Sequence, residues 1–265
     1  MALCQSHPIW GDVVANLHDI RAQAIQATAA GAKLVVFPEL ATTGYVFRDK
    51  AELWDALAAG DGIEELRNLS AELGIVLVVG LAMRSGLDAL NCAIVFDRGV
   101  ASAPYVKAHS WDSEKAIFTA GTSLPPVIDT SIGRIGLAIC YDLEFPELIR
   151  HLALSGAEII AAPTNWPAGF ESPRHSGPFN AEMIRAMGNA STNRVFIAVA
   201  CRTGHERGVD WVDRSVIIGP DGYPRAEAKP GSGMVIADIH LPESHDKKIS
   251  THNDVLADRR TDLYG

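Results

Sequence analysis

A cysteine and the residues around it are the first feature of this sequence that could do covalent chemistry. Cys140 ends the apolar run RIGLAI and precedes YDLEFPE. A cysteine at the end of a strand is commonly a small core hydrophobe. Here Pro146 and Glu147 suit the first turn of a helix, and a thiol near a helix N-terminus is favoured as the nucleophilic thiolate. Local context alone leaves both interpretations open.

Two charged residues accompany strand-like runs in a similar way. Glu39 follows LVVFP, where a carboxylate is either a loop cap or a functional group in a pocket of low dielectric constant. Lys107, in SAPYVKAHSW, could lay its stem along apolar surface and keep its ammonium in water. Functional residues of α/β folds gather at strand ends and in the loops that follow. Both residues are therefore candidates for a site.

The elements that must position these residues are short apolar runs with helical patterns between some of them. The runs are rich in β-branched residues and are bounded by Gly, Pro, Asn or Asp, which is typical of buried strands. The mixture of alternating and consecutive strands predicts helices layered on a mixed sheet. The predicted strands are 34–37, 75–79, 93–96, 135–139, 158–162, 195–200, 216–218 and 234–239, and the predicted helices are 13–30, 64–73, 145–154 and 179–187.

The three candidates together carry a family resemblance. Glu39 in FPEL, Lys107 in YVKAH and Cys140 in CYDLEFPE follow one another at spacings of 68 and 33 residues. This set resembles the Glu-Lys-Cys set of the nitrilase (carbon–nitrogen hydrolase) superfamily. The segments ELATTGY, SEKAIFTAG, PTNW, SVIIGPDG and DRRTDLYG extend the resemblance over nearly the whole chain. One departure is visible, because the family's R-A-x-E-N pattern is replaced by residues 189–193, NASTN. It puts the local helix packing in question.

The resemblance implies hydrolysis of a carbon–nitrogen bond through a thioester. Cys140 would attack the carbonyl carbon, and Glu39 would serve as general base and acid. Lys107 and the backbone N–H of Tyr141 would stabilise the oxyanion. Glu114 matches a second glutamate of the family, which would hold Lys107 and position substrate or water. The alternative for Glu114 is an exposed glutamate at a helix start.

The resemblance also implies a fold and an assembly. The fold class is α/β, a four-layer αββα sandwich of the nitrilase superfamily type with mixed sheets. We expect a single carbon–nitrogen hydrolase domain over residues 1–265, with 240–265 as a possible C-terminal arm. A second subunit would extend the layers, so a homodimer or higher homo-oligomer is expected.

The residues after the cysteine indicate a branch of the family. True nitrilases usually carry Trp-Glu there, whereas this chain has Tyr141-Asp142, which resembles the amidase and carbamoylase side. We read Asp142 as a turn residue that orients backbone. We favour an amidase of small aliphatic carboxamides, with N-carbamoyl amino acid amidohydrolase and ω-amidase as alternatives. The candidate substrate-binding residues are Tyr45, Trp111, Asn165, Trp166 and Phe170, with Arg174 as the candidate for a substrate carboxylate or, alternatively, a solvated loop charge.

Composition and charge argue against several other classes of protein. A content of 48% hydrophobic residues excludes a mainly disordered chain, and a net charge of −9 disfavours nucleic acid and anionic membranes as partners. No apolar run reaches the roughly 18 residues of a membrane span. The first residues lack a basic and apolar leader, so we expect no secretory signal and a cytoplasmic location.

Cofactor classes are limited by the cysteines and histidines. The four cysteines form no CxxC pair and the histidines show no short ligand spacing, so no metal and no cofactor are predicted. A metal-dependent amidohydrolase would need clustered His and Asp ligands. A non-catalytic interaction protein would be expected to have lost a member of the Glu-Lys-Cys set.

Overall fold

The computed structural model describes residues 1–169, 178–231 and 233–264. The strands in this part of the chain are β1 Ala2–Gln5, β2 Leu34–Val36, β3 Val76–Ser85, β4 Asp88–Asp97, β5 Val100–Ala101, β6 Tyr105–Val106, β7 Val127–Thr130, β8 Gly133–Leu137, β9 Ile159–Thr164, β10 Phe196–Cys201, β11 His205–Glu206, β12 Val209–Asp210, β13 Val216–Ile218, β14 Pro224–Glu227 and β15 Gly233–Ile236. The helices are α1 Val13–Ala29, α2 Lys50–Ala56, α3 Ile63–Leu73, α4 Glu114–Ile117, α5 Pro146–Leu154, α6 Ala181–Asn193 and α7 Thr261–Tyr264, with 3₁₀ turns at Leu57–Ala59, Cys140–Glu144 and Leu241–Ser244.

Two mixed sheets are built on the same plan. In the first, the order is β15-β1-β2-β3-β4-β5, with β6 also paired to β4. In the second, the order is β14-β13-β10-β9-β8-β7. Each has a parallel centre, β1-β2-β3 or β8-β9-β10, and antiparallel flanks. The carboxyl ends of β2, β8 and β9 lead directly to Glu39, Cys140 and Asn165.

The core separates into layers because both faces of each central strand are buried. Leu34 and Val36 of β2 belong to the core between the two sheets. Val35 of the same strand packs with Ile20 of α1 and Leu66 of α3 on the outer face. Helices α5 and α6 pack on the second sheet. The order helix, sheet, sheet, helix is the predicted αββα sandwich, and the prediction is confirmed.

The structure extends several predicted elements. The predicted helix 179–187 is α6, which continues to Asn193 and ends where Arg194 adopts a left-handed φ of 48°. Strand β1 was not predicted, because four residues carry too short a pattern. Its place between β15 and β2 makes it a buried central strand. Helix α2 was also not predicted.

The C-terminal segment, residues 240–264, contacts helices of the same chain. Lys247 donates from Nζ to the carbonyl of Arg194 at 2.7 Å, and Arg150 donates from Nη1 to the carbonyl of Val255 at 3.1 Å. These bonds join the segment to the middle of α5 and to the C-terminal end of α6. The single domain, and an arm that reaches across a subunit interface, stay predictions. Among the described residues, no helix is both long and apolar enough to cross a membrane.

Candidate active site

The structure brings Glu39, Lys107 and Cys140 together in the interior, where their relative exposures are 0%, 2% and 5%. Glu39 follows β2, Lys107 follows β6, and Cys140 opens the 3₁₀ turn after β8. Burial excludes the surface interpretation of Lys107. Because β2 and β8 belong to different sheets, the cluster lies where the two sheets meet.

Lys107 is the centre of the charged groups. Its Nζ lies 2.6 Å from Oε1 of Glu39, and 2.8 and 2.9 Å from Oε1 and Oε2 of Glu114. Glu114 is buried, so the alternative of an exposed helix-start glutamate is wrong. Its carboxylate also accepts the hydroxyl proton of Tyr45 and, at 3.1 Å, the backbone N–H of Trp111. One buried ammonium therefore bridges two buried carboxylates.

The Glu39 carboxyl has the properties of a base that works near neutrality. Burial raises its pKa, Lys107 opposes that rise and Glu114 adds to it, and the resulting pKa is about 7. Oε1 accepts a hydrogen bond from Nδ2 of Asn91 at 2.7 Å. Oε2 makes no hydrogen bond to any other described residue. One carboxylate oxygen is thus held in place while the other can accept a proton.

Lys107 keeps its charge despite burial. Burial by itself lowers the pKa of a lysine, but the two carboxylates outweigh it and raise the pKa of Lys107 above its ordinary value. An ammonium that stays protonated in a dry pocket is a permanent donor for developing negative charge.

Cys140 is held in an unusual backbone conformation. Its φ of 46° lies in the left-handed region, which β-carbon-bearing residues adopt at a cost. Its Sγ lies 3.5 Å from the carbonyl oxygen of Asn165, to which the thiol donates. The adjoining strand end therefore fixes the direction of the thiol.

The surroundings of Cys140 disfavour its thiolate. Burial raises the pKa of Cys140 well above the ordinary value, the charge of Glu39 raises it further, and Lys107 only partly opposes this. The thiolate expected from a nearby helix N-terminus is therefore wrong for the resting state. The physical reason is that α5 begins only at Pro146, while the thiol is buried beside carboxylates.

Asp142 orients the turn that carries Cys140, as its interpretation as a turn residue predicts. Its Oδ2 accepts the N–H of Ile139 at 3.0 Å and the hydroxyl of Tyr105 at 2.8 Å. Its Oδ1 accepts the N–H of His109 at 3.1 Å and lies 2.7 Å from Nδ1 of the same residue. The His109 ring stacks on Phe145, with ring centroids 3.6 Å apart. These contacts give His109 a structural role beside the site.

Helix α6 is joined to the same turn, although its sequence departs from the R-A-x-E-N pattern. Asn189 donates from Nδ2 to the carbonyl of Leu143 at 2.8 Å, and Asn193 donates from Nδ2 to the carbonyl of Asn189 at 2.8 Å. The Asn189 side chain therefore attaches this helix to the segment Cys140–Glu144, while the Asn193 side chain bonds within the helix.

A cavity of about 350 Å³ opens onto Cys140. Ligand sites commonly have roughly 300–1,000 Å³, so this one suits a small acyl group. Trp111 and Trp166 line it as predicted. Tyr141 also lines the cavity with its ring. Its backbone N–H lies at the start of a helical turn and therefore has no hydrogen-bond partner within that turn.

Several lining residues escaped the sequence-based prediction. Phe145 and Pro167 add apolar wall, and Glu144, Glu182 and Arg185 add charge. Arg185 Nε lies 2.7 Å from Oε2 of Glu144. The one available signal was the spacing of Glu182 and Arg185, which puts both on one face of a predicted helix. Nothing in the sequence alone indicated which face lines a pocket.

The other predicted pocket residues lie elsewhere. Tyr45 lines a smaller neighbouring cavity of about 100 Å³ together with Glu114 and Trp111. Asn165 is fully buried and donates from Nδ2 to the backbone carbonyl of Glu39 at 2.8 Å, so its side chain braces the cluster. Phe170 and Arg174 lie outside the described residues.

Comparisons with known proteins identify the family of this chain. The carbon-nitrogen hydrolase family model matches residues 1–248. A nitrilase of Pyrococcus abyssi is 33% identical over 243 residues, which cover 90% of this chain and 88% of the relative. The human deaminated glutathione amidase is 32% identical over 260 residues, which cover 91% of this chain and 76% of the relative.

A solved structure is similar along almost the full length. It is a mutant amidase from Nesterenkonia sp. AN1 that carries the acetamide moiety of fluoroacetamide on its active-site cysteine. The TM-score is 0.80 at 29% identity, with 99% of this chain and 94% of that chain covered. The family match, the relatives and the shared fold place the sequence in one group: the chain belongs to the carbon–nitrogen hydrolase family, in the amidase-like branch of the nitrilase superfamily.

Proposed function

We propose that this carbon–nitrogen hydrolase is a thiol amidase that cleaves small aliphatic carboxamides to the carboxylic acid and ammonia. The observation that carries the proposal is the convergence of Cys140 with the Glu39–Lys107–Glu114 cluster at the wall of a small cavity. A neutral thiol, a carboxyl with a pKa of about 7 and a permanent cation are the groups that acyl transfer requires.

In the acylation step, Glu39 removes the thiol proton as Cys140 attacks the amide carbon. A base with a pKa near the working pH suits this transfer, since it is half ionised and still able to return the proton. The protonated Glu39 then gives its proton to the departing nitrogen, which leaves as ammonia. The product on the enzyme is a thioester of Cys140.

Lys107 stabilises the tetrahedral oxyanion, together with the backbone N–H of Tyr141. In the resting site the Lys107 ammonium is bonded to Glu39 and Glu114. Protonation of Glu39 removes one of these negative partners at the moment when negative charge appears on the substrate oxygen. Glu114 stays bonded to Lys107 through both carboxylate oxygens and holds its position.

Deacylation reverses the same proton path. Glu39, again a carboxylate, takes a proton from water, the hydroxide oxygen attacks the thioester carbon, and the thiolate leaves. Glu39 returns the proton to the sulfur, which restores the resting thiol. The net reaction consumes one amide and one water, and releases one acid and one ammonia.

The walls of the cavity support a short acyl group. The aromatic and proline side chains form the apolar part of the wall around Cys140, and the cavity is small. Among the structural relatives, a mutant of the Nesterenkonia amidase is in complex with butyramide, a small neutral amide. We infer the same substrate class for this chain.

One observation favours a second candidate, an amide that also carries a carboxylate. Arg185 lines the cavity and could pair with such a group, as an ω-amidase or N-carbamoyl amidohydrolase would require. Arg185 is already paired with Glu144, and Glu182 adds a further negative charge to the wall. The described residues therefore favour neutral substrates over anionic ones.

The test is ammonia release from acetamide, propionamide and butyramide, compared with glutaramate, N-carbamoyl amino acids and nitriles. We expect the neutral amides to be hydrolysed, chelator to have no effect, and Cys140→Ala to abolish turnover. Activity that survived Cys140→Ala would contradict the mechanism. A preference for glutaramate that Arg185→Gln removes would assign the ω-amide candidate instead, and Arg174→Gln is the matched second variant.

The assembly and the compartment stay proposals. A homodimer is what the family resemblance implies. Sedimentation of the purified chain tests the assembly, and it should give at least twice the monomer mass.

A further inference from the structure

A second buried ion pair lies on the far side of Tyr45 from Glu114. Arg202 Nη1 is 2.7 Å from Oε2 of Glu206, and the two side chains are 1% and 3% exposed. The Arg202 guanidinium also donates to the carbonyl of Pro8 at 3.3 Å and lies over the Trp211 ring, 4.8 Å from its centroid. Neither charged residue lines the cavity at Cys140. Burying an ion pair costs desolvation free energy. Because this pair does not line the cavity, we expect a structural role in the contacts of its other atoms.

The second carboxylate oxygen of Glu206 accepts hydrogen bonds from the backbone that carries Tyr45. Its Oε1 accepts the N–H groups of Tyr45 at 2.8 Å and Val46 at 2.5 Å. Hydrogen bonds to a charged acceptor are roughly twice as strong as neutral ones. Two of them on one carboxylate oxygen fix the orientation of two successive peptide groups.

Gly44 allows this close approach. Its φ of 79° is left-handed, and a Cβ there would lie 2.8 Å from Oε2 of Glu206 and 2.9 Å from Cα of Trp10. The residue before Tyr45 must therefore lack a side chain if the carboxylate is to reach the backbone. The backbone at Gly44 and Tyr45 and the Arg202–Glu206 ion pair therefore pack directly against each other.

Tyr45 connects this unit to the catalytic cluster. Its ring packs edge-on against Trp211, with centroids 5.2 Å apart. Its hydroxyl donates to Glu114, the carboxylate that holds Lys107. The contacts therefore run from Arg202 through Glu206 and the backbone of Tyr45 to Glu114.

We propose that Glu206, held by Arg202, is a positioning residue of the active site. By fixing the backbone of Tyr45 it sets where the tyrosine hydroxyl meets Glu114, and so where Lys107 stands between the two carboxylates. The inference rests on the proposed amidase function and adds to it a group that never touches the substrate.

The test is a double-mutant cycle with Glu206→Gln and Tyr45→Phe. Glutamine keeps an acceptor for the two N–H groups but loses the charge, and phenylalanine keeps the ring but loses the hydroxyl. Since small misplacements of catalytic groups can cost up to about 10²-fold, we expect each single variant to lower kcat by about 10-fold or more, with KM changed less than about twofold. If Glu206 acts through Tyr45, the double variant should be no slower than the worse single variant. Effects that multiply, or an unchanged kcat in Glu206→Gln, would overturn the proposal.

Glu158→Gln is the matched control. Glu158 also accepts a backbone N–H, that of Arg134 at 2.7 Å, and pairs with His245, but it precedes β9 at the end opposite Asn165. We expect kcat to stay within about twofold of the wild type, because the same chemical change there touches no part of the cluster.

A readout independent of amide turnover separates this proposal from the proposed function. Iodoacetamide alkylates the Cys140 sulfur with loss of iodide while the thiol proton passes to Glu39, and peptide mass spectrometry follows Cys140 alone. In Glu206→Gln, the midpoint of the pH profile of alkylation should move in the same direction as in Tyr45→Phe. An unmoved midpoint with only a lower Tm would mean a purely structural role and would refute positioning. If the wild type hydrolyses no amide, the proposed amidase function fails. The alkylation profiles of the wild type and the two variants still test whether Glu206 positions the site.

A second variant covers the case in which Glu206→Gln does not fold. Changing Arg202→Met and Glu206→Gln together leaves no unpaired buried charge, which is the main expected cost of the single change. The paired variant should fold and show the same loss of kcat. Wild-type kcat in a folded paired variant would contradict the proposal.

Discussion

The tripeptide Phe-Pro-Glu occurs twice in this chain, at 37–39 and at 145–147, and the two copies lie in opposite surroundings. Glu39 is fully buried beside Lys107, whereas Glu147 is exposed in the first turn of α5. The first copy continues a central strand, since the N–H of Phe37 donates to the carbonyl of Val78 at 2.8 Å. The same three residues therefore supply a buried carboxyl with a raised pKa in one place and a helix start in the other.

The difference arises from what lies across from each copy. Gly80 of β3 has no Cβ, and one built there would lie 2.5 Å from Cα of Glu39 and 2.6 Å from the carbonyl of Pro38. The neighbouring strand thus closes over the first copy and removes it from water. Nothing comparable covers Pro146 and Glu147, which are both exposed.

The strongest test of this comparison is to make the same substitution in both copies. Glu39→Gln should lower kcat by about 10²–10⁴-fold, the usual contribution of a general acid–base. Glu147→Gln should leave kcat unchanged, because its side chain is solvated and distant from proton transfer. Ammonia release at saturating amide measures both. A loss of kcat in Glu147→Gln similar to that in Glu39→Gln would remove the distinction.

Removing the cation beside Glu39 should be the next largest effect. Lys107→Met leaves Glu39 and Glu114 buried without their shared partner. We expect kcat to fall by about 10²–10³-fold, as for loss of one oxyanion donor, and the free energy of unfolding to fall by about 3–5 kcal/mol. Urea unfolding at pH 8 checks the stability. Lys115→Met, an exposed neighbour, is the control and should change neither quantity.

The raised pKa of Glu39 gives a pH dependence of rate and of stability. Since the pKa is about 7 in the folded protein, kcat/KM should fall as the pH drops below about 7, because the base becomes protonated. In the folded state Glu39 binds a proton that the unfolded chain has already released between pH 4.5 and about 7. Its contribution to stability therefore decreases as the pH rises through that window.

The variant Glu39→Gln isolates this contribution. Unfolding of the wild type and of the variant should be compared at pH 5 and pH 7.5. The wild type should lose more stability relative to the variant at the higher pH. A difference between the two proteins that does not change with pH would show that the Glu39 pKa is not raised.

The smallest effect belongs to the second copy of the tripeptide. Glu147 lies in the first turn of α5, where a carboxylate interacts with the positive end of the helix dipole. Glu147→Gln should lower the free energy of unfolding by about 0.3–1 kcal/mol, with the difference reduced by salt. Thermal unfolding at low and high ionic strength measures it. A larger, salt-independent loss would mean that Glu147 has a buried partner.

The predictability of the fold from sequence differed with element length and pattern. Helix α1 was placed to within a residue, because its apolar stripe is regular over 17 residues. Strand β1 was missed, since ALCQ has no pattern of its own and is buried only by pairing with β15 and β2. The predicted helix 179–187 was too short because the polar residues Asn189 and Asn193 face the protein and not water.

For the candidate site, the sequence located the three central residues better than the residues around them. Motif order and spacing singled out Glu39, Lys107 and Cys140, and the structure brings all three together. The residues behind them, such as Asn91 and Glu206, carry no local signal, because each acts on a side chain or backbone far away along the chain.

The sequence by itself determined the family, the layered α/β class and the candidate nucleophile, base and cation. These features depend on residue types and on local periodicity, and both can be read from residues that are close together in the sequence. Only the tertiary structure decided that burial raises the pKa of Cys140, that the pKa of Glu39 is about 7 and that Arg185 lines the pocket. A pKa depends on burial and on neighbouring charges, and both are set by strands and helices that come together from distant parts of the chain.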